Sequence, residues 1–346
     1  MEKMKLGDTG IMASRTAFGA LPLQRRRMDD AVRILRRAYD AGINFYDTAR
    51  AYTDSEEKIG LAFEGMRHDV HIATKSGARD AKTLRAHLET SLRMLRTDYV
   101  DIFQFHNHLP PDELVDAARG FVKEGKALHV GLTLHAREDA QAAVAGGKFE
   151  TLQFPFSSIS DEGDAALVRS CEAAGMGFIA MKAMAGGLIR DVESNFAFIR
   201  SFGGVLPIWG VQRMEELEQF IRLEADPPAL DQARLAAIEA EKAELGGQFC
   251  RGCGYCMPCP AGIELSMVCR MDLLLGRAVA ESFMAPEWRA KMALVAGCTG
   301  CHACAGRCPY HLEPHELAKR QLSYYEAFAE RFDAESGRGN PDGMAP

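Results

Sequence analysis

Two short cysteine runs near the end of the chain contain the residues best suited to hold a metal centre. Eight of the ten cysteines lie in these runs, one starting at Cys250 and the other at Cys298. The second run has the spacing C-x2-C-x2-C-x3-C-P, in which three thiolates surround one face of a [4Fe–4S] cluster and the fourth reaches a neighbouring cluster. The sequence therefore predicts two [4Fe–4S] clusters that share ligands between the runs.

The sharing rule assigns each cluster three thiolates from one run and one from the other. The predicted ligands of cluster one are Cys250, Cys253, Cys256 and Cys308. The predicted ligands of cluster two are Cys298, Cys301, Cys304 and Cys259. Cys259 departs from the usual spacing by one residue, while Cys171 and Cys269 lie outside the runs and are expected to be packing residues.

Two other uses of the cysteines fit less well. A disulfide scaffold is typical of short secreted domains, whereas this chain has 346 residues and spaces its cysteines too closely to bridge neighbours. Structural zinc usually takes two C-x2-C pairs separated by a longer insert, and three consecutive steps of three residues exceed that pattern.

A second group of reactive side chains lies in the first half of the chain. Asp47, Lys75 and His106 fall at or just after the ends of successive predicted strands, and Tyr52 follows Asp47 in the next loop. Barrels of parallel strands keep their chemistry at the carboxyl ends of the strands. Four such residues at one face therefore indicate an active site.

The elements that would position these residues alternate regularly between strand and helix. The predicted strands are 15–20, 43–46, 70–75, 99–105, 127–132, 152–154, 177–181 and 205–209. The predicted helices are 29–41, 55–63, 83–95, 112–122, 137–145, 165–174, 191–202 and 215–222. Eight such units favour an α/β fold, a (β/α)8 TIM barrel. An open doubly wound sheet is the alternative, but no G-x-G-x-x-G follows the first strand.

The rest of the chain divides at changes in composition. We expect the barrel over 1–225, a connecting segment over 226–245 with a helix at 231–245, and a small, mainly helical ferredoxin-like domain over 246–326. Residues 327–346 form the predicted tail, whose Gly/Pro-rich end from 335 is expected to be disordered.

The bulk properties are those of an ordinary soluble globular protein. Hydrophobic residues make up 47% and charged residues 26%, and the net charge of −7 argues against a nucleic-acid partner. The N-terminus lacks the apolar core of a signal peptide, and no apolar run is long enough to span a membrane. Because thiolate clusters also fit a reducing interior, we expect a cytoplasmic protein.

Several segments of the barrel region resemble the aldo/keto reductases. They are 42–56, which contains Asp47 and Tyr52, then Ala-Thr-Lys75-Ser, Asp-Ile-Phe-Gln-Phe-His106-Asn, 125–131 and Gln153-Phe-Pro-Phe. The resemblance covers about 4–225. With the cysteine runs added, the chain is similar to the branch of that family with a C-terminal ferredoxin-like domain.

The resemblance implies an NAD(P)H-linked oxidoreductase that acts on a carbonyl or alcohol. Tyr52 would supply the proton, with its pKa lowered by the Lys75 ammonium. Asp47 would pair with Lys75, and His106 would orient the carbonyl by a hydrogen bond.

The resemblance also implies a nucleotide site with several departures from the family pattern. Its candidate residues are Gly19, Thr133, Gln153, Met181, Lys182, Gly210, Gln212 and Gln219. Thr133-Leu134 replaces the usual Ser-Asn pair that holds the nicotinamide carboxamide, and Met181 replaces the aromatic residue that stacks on the ring. NADPH is favoured over NADH only through Arg213, which lies near the usual place for an arginine that binds the 2′-phosphate.

Two other functions remain open at this stage. In one, low-potential electrons from the clusters drive a reductive elimination or dehydration, with Tyr52 and Lys75 assisting proton transfer or loss of water. A ferredoxin or another electron donor would then be a partner beside the small-molecule substrate. In the other, the chain is a non-enzymatic electron carrier, which the complete set of four polar residues counts against. The sequence contains no dedicated flavin motif, although flavin stays open as a cofactor.

Overall fold

The computed structural model describes residues 1–245, 249–277 and 280–337. The chain forms two compact units. The first contains 1–185 and 189–241, and the second contains 186–188 and the described part of 242–346. The predicted start of the cluster domain, at residue 246, lies outside the described residues.

The first unit is a closed barrel of eight parallel strands preceded by a hairpin. The strands are β1 Lys3–Lys5, β2 Met12–Ser14, β3 Ala17–Gly19, β4 Phe45–Asp47, β5 His71–Ser76, β6 Val100–His106, β7 Ala127–Thr133, β8 Thr151–Pro155, β9 Gly177–Met181 and β10 Val205–Gly210. Strands β3 to β10 are neighbours in chain order, and β10 closes the barrel on β3. The predicted (β/α)8 fold is confirmed.

A helix follows each barrel strand. The helices that start before residue 246 are α1 Met28–Asp40, α2 Ser55–Ala62, α3 Ala81–Met94, α4 Asp112–Lys123, α5 Arg137–Gly146, α6 Glu162–Ala173, α7 Val192–Arg200, α8 Met214–Ala225 and α9 Gln232–Leu245. In α3, Leu84 and Leu88 lie one turn apart and are both buried against the barrel. The Asp80 carboxylate accepts a hydrogen bond from the Thr83 amide and so caps the first turn of this helix.

Alternation along the strands produces two separate cores. On β6, Phe103 and Phe105 point outward and pack in the layer between strands and helices. Ile102 points inward and packs inside the barrel with Phe45 and Leu206. This period of two explains why the strands read as continuous apolar runs, since both of their faces are buried.

The β1–β2 hairpin was not among the predicted elements. Its apolar residues, such as Leu6 and Ala13, join the inner core. A Cβ on Gly7 would lie 2.3 Å from the Gly177 amide nitrogen, at the start of β9, so the hairpin covers the amino-terminal end of the barrel. A strand of three residues is too short to be identified by the alternation of apolar and polar residues.

The second unit is helical, as expected. Its helices are α10 Leu265–Val268, α11 Met271–Arg277, α12 Ala280–Met284, α13 Pro286–Ala293 and α14 Pro314–Gly337. The expectation of disorder from residue 335 is wrong for 335–337, which continue α14. Tyr325 and Ala329 are buried in the core of the unit and hold this helix well past the predicted domain end at 326. Residues 338–346 lie outside the described residues. Within the described ranges, no helix is long and apolar enough to cross a membrane.

Candidate active site and cysteine centres

Strand register brings the predicted catalytic residues to one end of the barrel. Asp47 is the last residue of β4, Lys75 the penultimate residue of β5 and His106 the last residue of β6. Parallel pairing sets Lys75 beside Gln104 of β6 and His106 beside Thr133 of β7. These side chains therefore lie at the carboxyl end, where barrel enzymes place their chemistry.

The innermost part of this site is a buried ion pair. Lys75 Nζ lies 2.6 Å from Asp47 Oδ2 and donates a second hydrogen bond to the Thr48 carbonyl oxygen at 2.7 Å. Lys75 is 1% exposed and Asp47 is 2% exposed. Gln104 and Gln153 donate from their Nε2 atoms to the two carboxylate oxygens, at 3.4 and 3.5 Å. The carboxylate is thus surrounded by donors, which compensates its loss of water.

The rings of Tyr52 and His106 lie next to this ion pair. Lys75 Nζ is 5.2 Å from the centroid of the Tyr52 ring. The Tyr52 and His106 rings meet edge to face, with centroids 5.9 Å apart. All four predicted residues are therefore brought together at the same mouth of the barrel.

The expected lowering of the Tyr52 pKa by Lys75 is wrong. Burial, and next the nearby Asp47 carboxylate, raise the pKa of Tyr52 above its ordinary value. Burial also lowers the pKa of Lys75, because a buried ammonium loses hydration, while Asp47 opposes that shift. Tyr52 consequently keeps its proton at neutral pH, which is the form that a proton donor requires.

His106 is held in its neutral form. Burial, followed by the positive charge of Lys75, lowers the pKa of His106 to about 3. A neutral imidazole has one nitrogen that donates a hydrogen bond and one that accepts, so His106 can bind a carbonyl oxygen without carrying charge.

The loop that presents Tyr52 is fixed from behind by a buried carboxylate. Glu56 is 1% exposed, forms an ion pair with Arg50 and accepts a hydrogen bond from Thr74 Oγ1 at 2.7 Å. The Arg50 amide donates to the Lys75 carbonyl oxygen at 2.9 Å. These bonds tie the Tyr52 loop to β5, the strand that carries Lys75.

Sequence reasoning missed Gln104 as a member of the site. Gln104 is fully buried, and besides its bond to Asp47 it accepts a hydrogen bond from Thr133 Oγ1 at 3.2 Å. Its position two residues before His106 was the available signal, because residues i and i+2 of a strand share a face.

The predicted nucleotide residues divide between strand ends and a helix. Gly19, Thr133, Met181 and Gly210 end β3, β7, β9 and β10; Gln153 lies on β8; Lys182 directly follows β9, and Gln212 is the second residue after β10. Gln219 lies instead within α8, away from the strand ends in sequence.

Only part of this set has free hydrogen-bonding capacity for a carboxamide. The Thr133 hydroxyl donates to Gln104, and Leu134 is fully buried in the outer core. Gln153 is 1% exposed, and its Oε1 has no hydrogen-bond partner among the described residues. An unpaired buried acceptor next to Asp47 fits the amide protons of a nicotinamide.

The segment after β10 is organised by one carboxylate. Glu216 accepts hydrogen bonds from the amides of Gln212 and Arg213, at 2.9 and 3.1 Å, and from Arg213 Nε at 2.8 Å. This capping box begins α8. The Arg213 side chain is 61% exposed and forms an ion pair with Glu216.

The cysteines predicted for cluster two line one cavity in the second unit. These are Cys259, Cys298, Cys301 and Cys304. Three belong to the second run and one to the first, so the chain brings together thiols that are up to 45 positions apart.

The cysteines predicted for cluster one are also near neighbours. Burial, and then repulsion from Cys250, Cys253 and Cys308, raises the pKa of Cys256 to about 12. Such repulsion requires the sulfur atoms to be close, and it is the electrostatic situation that bound iron relieves.

An arginine joins the two runs. The Arg307 guanidinium donates to the carbonyl oxygens of Cys256, Met257 and Pro258, at 2.8, 3.3 and 2.9 Å. Arg307 precedes Cys308, so this contact places Cys308 against the first run.

The two remaining cysteines are both buried, and Cys269 lies beside Cys250 of the first run. Cys171 is buried on α6, and burial raises the pKa of its thiol to about 12. The Cys269 thiol is 3% exposed and donates to the Pro314 carbonyl oxygen at 3.2 Å.

Comparison with known proteins matches both units. The aldo/keto reductase family profile matches residues 16–199, and that of a 4Fe-4S dicluster domain matches 249–313. L-galactose dehydrogenase of Arabidopsis thaliana is 34% identical over 154 residues, 38% of this chain and 48% of that protein. The uncharacterized oxidoreductase YrpG of Bacillus subtilis is 30% identical over 230 residues, 56% of this chain and 71% of that protein.

A solved structure shares the barrel. The aldo/keto reductase from Klebsiella pneumoniae in complex with NADP and acetate superposes with a TM-score of 0.60 at 25% identity, covering 69% of this chain and 95% of that one. This chain spans about half the length of the plant dehydrogenase. Barrel, site and matches define a protein of the (β/α)8 barrel class. The chain belongs to the aldo/keto reductase family and carries a 4Fe-4S domain.

Proposed function

We propose that this enzyme transfers hydride between a nicotinamide nucleotide and a carbonyl or alcohol, with Tyr52 as the proton donor and acceptor. The observation that carries the proposal is the buried Lys75–Asp47 pair beneath Tyr52 and His106 at the mouth of the barrel. The NADP and NADPH complexes of the Klebsiella relatives support the choice of nucleotide.

In the reduction direction, the nucleotide supplies hydride when bound. His106 and the Tyr52 hydroxyl would hold the carbonyl oxygen between them, and Tyr52 would give its proton to that oxygen as charge develops there. The Lys75 ammonium then stabilises the tyrosinate that remains, since it is held close to the ring by Asp47. Gln153 Oε1 would accept a hydrogen bond from the carboxamide.

The test is Tyr52→Phe in full-length protein prepared without oxygen. Removal of the hydroxyl leaves the ring in place, so we expect turnover to fall at least about 100-fold. NADPH affinity, measured by equilibrium dialysis, should stay within about twofold. NADPH oxidation with a panel of aliphatic and aromatic aldehydes provides the rate.

Tyr99→Phe is the matched control, because Tyr99 directly precedes β6, at the end of that strand opposite to His106, and its hydroxyl hydrogen-bonds to His68 at 3.3 Å. It should keep full activity. Equal turnover by the Tyr52 variant and the wild type would exclude Tyr52 as the proton donor.

A second function is favoured because few of the residues expected to bind the nicotinamide carboxamide have free hydrogen-bonding groups. The Thr133 proton is donated to Gln104 and Leu134 is apolar, so Gln153 Oε1 is the one polar side-chain atom of these three that is buried without a hydrogen-bond partner among the described residues. In this alternative, low-potential electrons from the clusters enter the substrate, and Tyr52 and Lys75 assist proton transfer or loss of water. Turnover with reduced ferredoxin or dithionite, and none with NADPH, would establish the alternative instead.

For the second unit we propose two [4Fe–4S] clusters with the ligand sets predicted above. The shared cavity of Cys259, Cys298, Cys301 and Cys304 supports cluster two, and the repulsion that Cys250, Cys253 and Cys308 exert on Cys256 supports cluster one. When bound, each cluster carries one electron at a time.

A further inference from the structure

Three side chains of the second unit that are not cysteines converge on one point beside the cavity of the predicted cluster two. His302 lies between Cys301 and Cys304, while Glu313 and His315 lie at the start of α14. One ligand atom from each lies within 4.8 Å of the others. His315 Nδ1 is 3.4 Å from Glu313 Oε2, and His302 Nδ1 is 3.9 Å from the same oxygen.

His315 is the anchor of this group. It is 6% exposed, yet its Nδ1 makes no hydrogen bond within the described part of the chain. Its other nitrogen, Nε2, lies 3.3 Å from Glu316 Oε1, and Lys319 holds that carboxylate at 3.0 Å. A carboxylate partner at the far nitrogen is usual for a metal-binding histidine, and here Glu316 holds Nε2 while Nδ1 faces Glu313.

The spacing suits a small tetrahedral ion. Zinc binds histidine nitrogen and carboxylate oxygen at about 2.0–2.1 Å, so neighbouring tetrahedral ligands are about 3.4 Å apart. The His315–Glu313 pair already has that separation, and the His302–Glu313 pair must shorten by about 0.5 Å. His302 and Glu313 are exposed, so a short movement is open to both and water can occupy the fourth position.

We propose that His302, Glu313 and His315 bind one divalent ion of the zinc type, in addition to the iron–sulfur clusters. Two neutral imidazoles and one carboxylate form a ligand set that zinc sites with an open position also use. The ion would join the second cysteine run to α14. Because His302 and His315 also line the cavity of Cys298, Cys301 and Cys304, the ion would lie beside cluster two.

The test uses full-length protein prepared without oxygen and with its iron and sulfide measured. Equilibrium dialysis against ZnCl2 should give one zinc per chain with no loss of iron. Glu313→Gln and His302→Asn each remove one exposed ligand and should raise the zinc dissociation constant at least about tenfold. Glu316→Gln should raise it by a similar factor by releasing the far nitrogen of His315.

His311→Asn is the matched control. His311 and His302 are both exposed and both have positive φ, 50° and 55°, so an asparagine meets the same backbone in each. The control should bind zinc as the wild type does. The proposal is overturned if zinc does not bind, if both histidine variants bind it equally, or if iron is lost as zinc enters.

Discussion

The residues at the mouth of the barrel depend on one another through charge. Lys75 and Asp47 are both buried, so removal of either partner leaves an uncompensated charge, at a typical cost of about 3–5 kcal/mol. Variants at these two positions therefore mix lost catalysis with lost stability. Tyr52 and His106 are the better probes, because both side chains are neutral and their replacement leaves no buried charge without its ionic partner.

The low pKa of His106 predicts how activity responds to pH. Its pKa falls from an ordinary 6.5 to about 3, so the imidazole stays neutral over pH 5–8. We expect kcat/KM to show no inflection near pH 6.5. His106→Asn should lower kcat/KM by about 100-fold through loss of a polar contact to the carbonyl, with a parallel pH profile.

The same shift fixes the sign of its effect on stability. Between about pH 3 and 6.5 the unfolded chain binds the His106 proton and the folded chain does not. Stability from this group therefore rises with pH across that window and is lost as pH falls through it. An inflection near pH 6.5 in the kcat/KM profile of the wild type that His106→Asn abolishes would contradict the assignment of a neutral His106.

At the residue scale, the sequence predicted which side chains form the site better than it predicted how the site changes their pKa values. Asp47, Lys75 and His106 could be placed because parallel strands end at a common face. The direction of the Tyr52 pKa shift could not be predicted, because burial and the Asp47 carboxylate both raise the pKa, and burial depends on the folded loop. The commitment of Thr133 to Gln104 likewise depends on strand register.

At the scale of elements, the packing of α2 on α3 makes a sharp prediction about one glycine. A Cβ on Gly60 would lie 2.3 Å from the Met94 carbonyl oxygen, which is backbone and cannot rotate away. Gly60→Ala should therefore destabilise the protein by about 1–3 kcal/mol. We expect a clear fall in the melting midpoint, measured by circular dichroism at a fixed heating rate.

Gly120, inside α4, is the matched control. No atom of the described neighbours lies within 4 Å of a Cβ placed there, so Gly120→Ala should raise the midpoint, with a gain of about 0.5–1 kcal/mol. Equal midpoints for the two alanine variants would refute the close contact between α2 and α3.

Elements were predictable where they are long and periodic. All eight barrel strands and their helices were found, with boundaries that differ by a few residues. The β1–β2 hairpin, with three residues in each strand, carries too little pattern. The length of α14 depends on Tyr325 and Ala329 reaching the core of the second unit, which no local pattern indicates.

At the scale of the whole molecule, the chain joins a barrel to a helical unit whose core contains cysteines of both runs. Arg307 binds three carbonyl groups of the first run and brings Cys308 with it. The second unit is therefore expected to fold around its clusters as one body. Loss of a single shared thiol should then affect the cluster of the opposite run.

This sharing yields the last prediction. Protein prepared without oxygen should contain about eight irons and eight sulfides per chain. Cys308→Ala should damage cluster one, although Cys308 lies in the second run, whereas Cys301→Ala should damage cluster two. Iron analysis with electron paramagnetic resonance of the reduced protein distinguishes the two signals, and Cys171→Ala, in the barrel, should keep both. Four irons at full occupancy, or loss of the same signal in both variants, would show that the runs do not exchange ligands.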